Sequence, residues 1–389
     1  MGWWARLTAA GAVAGTGLAV VSGAAGWGTA HRMLAAIALP PLAALVATAW
    51  VTSRRLLPAS LAALVLFGLA ALLTGRDVHL VLAALAFGAT AYVAVAAFRG
   101  EHVQGPLRDY YTLTKPRIMS LLLITGGAGA FVGADGVPAW GVFAATMVGL
   151  ALACGGAAAL NHYLDRDIDK LMGSRTEKRP VASGRVPPER ALEFGLALSA
   201  FSFVLLDALV NLPTALLALA GNFFYVIVYT RWLKRSTSQN IVIGGAAGAV
   251  PPLVGYAGAT GHLGWAALVM FVVVFVWTPP HFWALALMIK EHYARAGVPM
   301  LPVQKGDRET AKQILWYTLL LVAVTVAPVA FGIFGIFYGI SALVLGGVFA
   351  WLAFELRRTM ERVAAARLFH YSLLYLALLF VAMALDPIF

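Results

Sequence analysis

Apolar runs long enough to cross a bilayer recur from one end of the chain to the other, separated by short polar segments. About 20 apolar residues make one crossing. Four such runs, near 9–27, 33–52, 57–75 and 78–98, precede the first long polar segment. Nine more follow, near 118–134, 139–164, 190–210, 213–230, 240–260, 263–289, 313–332, 334–354 and 368–385. Inside hydrocarbon the backbone must satisfy its own hydrogen bonds, so each run is expected to be a helix. The first run, with an early arginine and small residues near Gly23–Gly26, has the look of a signal peptide but is read as a first span. The fold class expected is all-α: a four-helix transmembrane unit (1–98), a linker (99–117) and a nine-helix membrane bundle (118–389).

Composition agrees with lipid as the main solvent. Charged residues make up 12% of the chain and hydrophobic ones 61%, whereas soluble domains carry about 25% charged residues. The net charge of +11 would suggest nucleic acid in a soluble protein, but its distribution gives another reason. With the N-terminus in the cytoplasm and the spans alternating, every one of the 28 basic residues except Arg32 and Arg76 falls on the cytoplasmic side, as positive-inside loops require. No nucleic-acid partner is expected. A multi-pass protein of the inner (plasma) membrane is expected, surrounded by membrane lipids, with its polar loops facing the cytoplasm. Cys154 is the one cysteine, so no internal disulfide can form.

The polar ends of the second unit carry the candidate chemistry. The second of its nine runs ends in NHYLDRDIDK, where Asn161, Asp165 and Asp169 recur at i, i+4, i+8. At 100° per residue they share one helix face, with the two acids roughly 6 Å apart along the axis. Two carboxylates and an amide suit Mg²⁺, which completes its shell with water and substrate phosphates. Asp167, in the same run, points elsewhere. Arg175, Lys178, Arg179 and Arg185 follow directly, and acids beside bases suggest a metal–diphosphate site.

Two further loops on the same side are loaded alike. YTRWLKRSTSQN supplies Lys234, Arg235, Thr237 and Asn240; WTPPHFWALALMIKEHYARAGVPMLP supplies His281, then Lys290, Glu291, His292 and Tyr293. Pro279 and Pro280 are expected to break or kink that helix near His281, and broken helices are tolerated in lipid where they line a cavity. His281, a polar residue within a span, is a functional candidate on that ground.

The NxxxDxxxD motif, the KRxT loop and the acidic end of the sixth span together resemble the UbiA-type prenyltransferases. Within them, NHYLDRDIDKLMGSRTEKRP, YTRWLKRSTSQNIVIGGAAGAVPPLVGY and TPPHFWALALMIKEHYARAGVPMLPV are similar to heme O synthases (protoheme IX farnesyltransferases), from about Tyr110 to the C-terminus. The resemblance implies Mg²⁺-dependent transfer of farnesyl from farnesyl diphosphate to protoheme. It implies catalytic roles for Asn161, Asp165, Asp169, Arg179, Lys234, Arg235, His281 and Glu291, the metal resting on Asn161, Asp165, Asp169 and Glu291. Lys115, Arg117, Arg175, Lys178, Thr237, Asn240, His292 and Tyr293 are the expected substrate contacts. The family often has two adjacent acids where this chain has Glu291 and His292. His281 could ligate heme iron or position the porphyrin. An aromatic quinone precursor as acceptor is the alternative reading, and a transporter is a second one of a different class.

In the N-terminal unit, His31 and His79 begin helices that run in the same direction, so both imidazoles lie near the outer face. Two such histidines can hold a b-type heme between them. The AHR and VHL contexts resemble one four-helix half of heme A synthase, which makes that enzyme a candidate partner. Trp27, Gly28, Thr29 and Ala30 precede His31 without the acid of that family's catalytic half, so heme A synthase activity is not expected.

Overall fold

The computed structural model describes residues 107–388, together with Ala12. The chain divides into two units between Gln104 and Gly105, and the description below is of the second. The four N-terminal runs, and with them His31 and His79, lie outside the described residues.

Among the described residues every regular element is helical, and nine helices are long and apolar enough to cross a membrane. They are Pro116–Gly133, Trp140–Leu164, Pro188–Leu209, Leu212–Ser236, Asn240–Thr260, Trp265–Met288, Asp307–Ala330, Ile336–Thr359 and Arg362–Leu385, numbered here as spans one to nine. The protein is a multi-pass membrane protein. A short helix, Leu107–Leu113, precedes the first span.

Local chemistry sets several helix ends. Proline opens the first, third and fourth spans within their first two positions, where its missing N–H is one the helix would leave unpaired anyway. Asn211 caps the fourth span by accepting from the Thr214 N–H at 2.9 Å, while its amide donates to the Ala257 carbonyl at 3.0 Å. Gly261, at φ 77°, ends the fifth span in the left-handed conformation that favours glycine.

Small residues let the spans approach closely. Gly129 on the first span lies against the Pro252 backbone of the fifth, and Gly255 lies against the Gly126 carbonyl. No side chain fits at either contact. The second span packs on the third in the same way, with Gly156 against Gly195 and Ser199. Spans six to nine build the largest apolar cluster, around Trp277, Trp283, Tyr338, Phe349 and Tyr375. Large apolar side chains such as Trp140, Trp265, Phe331 and Ile336 stay exposed on the outside, as expected of a surface that meets lipid.

The two proline pairs behave in opposite ways. The fifth span is two helices, Asn240–Gly248 and Val250–Thr260, and Pro251 and Pro252 lie in the first turn of the second. The sixth span runs as one helix from Trp265 to Met288 with Pro279 and Pro280 inside it. Where a break or kink was expected near His281 the helix is not broken, and an interruption falls at Ala249 in the fifth span. A first-turn proline leaves no bond unmade. The internal pair is accommodated within a helix packed on spans five, seven and nine.

A second departure concerns the fourth span, whose last third, Phe224–Leu233, winds as a π-helix before a final turn at Lys234–Ser236. Such widened turns tend to mark functional segments.

Candidate functional site

The second span ends at Leu164, and Asp165 (φ −89°, ψ 5°) joins it to the short helix Arg166–Leu171. The hydrogen bonds Asp165 N to Asn161 O and Asp169 N to Asp165 O, both 2.8 Å, carry the helical line across that joint. Asn161, Asp165 and Asp169 thus stay on one stripe, and each is at most 3% exposed.

Cations from three other segments converge on the stripe. The Lys115 ammonium lies 2.5 Å from Asn161 Oδ1, and the Asn161 amide donates to Asp165 Oδ2 at 2.8 Å and to Thr230 Oγ at 3.1 Å. Lys234 reaches the same Asp165 oxygen at 2.5 Å. Arg179 pairs with Asp169 at 2.6 Å, and Thr176 donates to the Asp169 carbonyl. Arg235 grips Asp167 through two nitrogens, at 2.7 and 2.8 Å, also donates to the Leu164 carbonyl, and stands 3.9 Å from Asp165. The π-helical end of the fourth span thereby delivers both Thr230 and Lys234 to the second span.

This electrostatic setting acts on the ionisable groups. Burial pushes the Lys115 amine down to about 7, with the Arg179 charge acting in the same direction. Burial raises the Asp169 carboxyl above its ordinary value, against the opposing pull of Arg179. Asp167 is held well below the usual carboxylate range by its bonds to Arg235. Lys115 adopts φ 50° and ψ 57° directly before Pro116, a left-handed backbone that both its side chain and the following proline disfavour.

The donor set can be tested against a divalent cation. Asp165 Oδ1 and Asp169 Oδ2 are buried oxygens without a hydrogen-bond partner, which is the atom type Mg²⁺ takes. Among the described residues no group of three or more His, Cys, Asp or Glu is poised as a metal cage. One or two carboxylates, the rest of the shell coming from water and phosphate, is the usual Mg²⁺ arrangement. The residues fit that metal.

The other expected residues are placed less tightly. Glu291 is exposed on the short helix Lys290–Arg295 beyond the sixth span. Next to it, His292 donates from Nδ1 to the Met172 carbonyl at 2.8 Å, which ties this helix to the turn after Asp169. Tyr293 packs on the main apolar cluster. Asn240 is fully buried with both amide atoms unpartnered, and Thr237 accepts from the Gln239 N–H. Arg117 and Lys178 are exposed, the Lys178 carbonyl accepting from Arg185, which also pairs with Asp109. The side chain of Arg175 is not among those described. His281 lies deeper, stacked between Trp277 and Phe369 and bonded to Ser372. Two participants escaped the sequence reading. Thr230 was signalled only by a hydroxyl near the mouth of an apolar span. His162, 2% exposed with both ring nitrogens unpartnered, was signalled by its place beside Asn161.

Among the described residues, nine membrane-length helices with buried acids and several cations gathered at one end define an integral-membrane protein with a polar site at the end of its bundle. Residues 122–381 match the UbiA prenyltransferase family. The protoheme IX farnesyltransferase of Symbiobacterium thermophilum is 55% identical over 282 residues, covering 72% of this chain and 94% of that one. That of Gloeobacter violaceus is 52% identical, covering 73% and 93%. A longer relative of the same name from Roseiflexus sp. is 47% identical over 80% of this chain and 63% of its own length, more than residues 107–389 alone can supply, so that likeness reaches upstream. In fold, the chain is similar to a digeranylgeranylglyceryl phosphate synthase structure (TM-score 0.61, 18% identity, 72% of this chain and 98% of that one). It is also similar to a UbiA homolog from Archaeoglobus fulgidus bound to GPP and Mg²⁺ (TM-score 0.55, 17% identity, 71% and 99%). The chain belongs to the UbiA prenyltransferase family.

Proposed function

We propose that the protein transfers the farnesyl group of farnesyl diphosphate to a vinyl group of protoheme, with addition of water, giving heme O and diphosphate. The carrying observation is the buried Asn161–Asp165–Asp169 stripe, facing Lys115, Lys234 and Arg179 at one end of the bundle. The acceptor follows from relatives named protoheme IX farnesyltransferase at 47–55% identity.

Asn161, Asp165, Asp169 and Glu291 would hold Mg²⁺. When bound, the metal supplies a Lewis acid for the diphosphate oxygens. Lys115, Arg175, Lys178, Arg179 and Lys234 add positive charge where the leaving group gains negative charge, and such pre-placed charge is usually the largest catalytic contribution. Arg235, bound to Asp167 and the Leu164 carbonyl, braces the loop that presents Lys234. Arg117, Thr237, Asn240, His292 and Tyr293 would be the substrate contacts. The C1–O bond of the farnesyl group breaks, and the vinyl π electrons form the new bond from the terminal vinyl carbon to C1. The cation left beside the porphyrin ring takes up the oxygen of water, and one proton is released.

The Lys/Arg bias of the loops orients this face toward the cytoplasm of a cell whose plasma membrane holds the protein. Residues 118–389 form the transferase. The unit 1–98 would bind a b-type heme through His31 and His79, with heme A synthase as the partner that consumes the product.

The test is to incubate the purified protein in lipid with protoheme, farnesyl diphosphate and Mg²⁺, with and without EDTA, and to weigh the pigments by mass spectrometry. A heme heavier by one farnesyl plus one water, lost on chelation, is the expected product. Prenylation of an aromatic acid offered in parallel, with no heme product, would move the acceptor and keep the diphosphate site.

A further inference from the structure

We infer that spans five to seven, at the end of the bundle that carries the acid stripe, form a binding site for the head group of a zwitterionic phospholipid, one bearing a phosphate and a primary ammonium. This goes beyond the transfer reaction and holds whichever acceptor the protein uses. A cavity of about 320 Å³ lies there, at the lower end of the roughly 300–1,000 Å³ usual for small-ligand sites. It suits a head group rather than a whole macrocycle. It shares no residue with the Asn161–Asp165–Asp169 stripe or the cations around it.

Two helices wall the cavity. Glu309, Gln313 and Tyr317 recur at i, i+4, i+8 along the seventh span and form one side. Trp283 of the sixth span forms the other, its ring edge-on to Tyr317 at 88° with centroids 5.3 Å apart. The remaining lining comes from the short helix Leu301–Lys305 and from Gln239, just before the fifth span. Lys305 and Gln239 are exposed, so the cavity is reached from outside. Trp283 is 2% exposed, and its indole N–H has no hydrogen-bond partner among the described residues. A buried indole N–H usually has one, so this wall holds a donor in want of an acceptor.

The lining carries one acid and one base. Gln313 Nε2 donates to Glu309 Oε1 at 2.8 Å, which leaves the Gln313 carbonyl and the second Glu309 oxygen as acceptors. Lys312 stands 3.8 Å from that second oxygen, too far for a hydrogen bond. An ammonium placed here meets two oxygens and the faces of Trp283 and Tyr317, which attract cations. A phosphate meets the Lys305 ammonium, the Gln239 amide and the indole N–H. A lining with both signs of charge favours a head group with both signs over an anionic one. Depth points to lipid as the source. Trp316, next to Tyr317, is 59% exposed, and exposed tryptophan is typical of the head-group level. Leu319 and Leu320, further along the span, are exposed apolar residues that meet the tails.

The experiment titrates the full chain in detergent with phosphatidylethanolamine, phosphatidylcholine or phosphatidylglycerol of identical acyl chains and reads lipid retention by native mass spectrometry. Free phosphoethanolamine is the soluble probe. The native protein should retain one phosphatidylethanolamine about tenfold more tightly than either other lipid, the worth of one hydrogen bond to a charged group. Phosphatidylcholine lacks the ammonium N–H donors, and phosphatidylglycerol lacks the positive charge. Glu309→Gln should erase that preference, and Lys305→Gln should weaken all three lipids alike. Trp283→Phe keeps a ring, removes the N–H and should weaken binding about fivefold. Should that core variant fail to fold, the Glu309 and Lys305 variants, which remove no core packing, still decide the matter. Equal retention of the three lipids by the native protein, or a preference unmoved by Glu309→Gln, overturns the inference. So does free phosphoethanolamine bound as tightly as the lipid, which would make the site one for a soluble zwitterion.

Discussion

The mouths of the second and sixth spans both carry acids, yet the structure treats them differently. Asp165 and Asp169 are at most 1% exposed, each salt-bridged, and fixed on a helix whose hydrogen bonds continue through the joint. Glu291 is exposed on a six-residue helix, and the side chain that anchors its neighbourhood is the adjacent His292. Burial with compensating cations fixes charge in place, and removing one partner leaves the other stranded at a cost of about 3–5 kcal/mol. An exposed acid loses little when unpaired and is free to adjust to what it binds. In the proposed site, one mouth would thus be a preformed half and the other an adaptable half.

That contrast can be broken most directly at Asp165. Asp165→Ala should lower farnesyl transfer by about a thousandfold or more, since single preorganised charge-stabilising groups are worth roughly 10²–10³ and Lys234 is stranded as well. Retained insertion and elution volume would show that folding survives; near-normal turnover would end the metal role. Lys234→Gln comes next, with an expected loss of about a hundredfold in kcat at a milder cost in stability. Glu291→Gln should cost about tenfold, read mainly as a higher Mg²⁺ requirement in a metal titration. A loss there equal to that of Asp165→Ala would make the two mouths equivalent and erase the contrast. The smallest effect is expected at Thr230→Val, which removes one hydrogen bond to Asn161 worth about 1 kcal/mol and should lower kcat/KM about fivefold.

Much of this was legible in the sequence, for reasons specific to each part. The nine spans were readable because lipid enforces apolar length, but their ends drifted where a helix outlasts the hydrocarbon. The seventh run was read from 313, whereas the helix starts at Asp307 with a polar first turn; the ninth was read from 368 and starts at Arg362. The stripe Asn161–Asp165–Asp169 was readable from helical periodicity alone. The contacts of Lys115 with Asn161, 46 residues away, and of Arg235 with Asp167, 68 residues away, were not, because tertiary packing brings those segments together. The Pro279–Pro280 pair did not reveal where a span is interrupted: the sixth helix runs through it, and the interruption comes just before Pro251 and Pro252, where the same dipeptide opens a helix. The π-helical turn of the fourth span left no signal in residue types.

Lys115 carries a consequence of its own. Its left-handed backbone ahead of Pro116 costs about 1–2 kcal/mol that glycine would not incur, and its amine is held where burial disfavours charge. A glycine at this position would relax the backbone but strip the donor from the buried Asn161 carbonyl oxygen, a loss of about 1–3 kcal/mol that offsets the relief. The strained backbone is thus tolerated because the same residue supplies the hydrogen bond that holds Asn161.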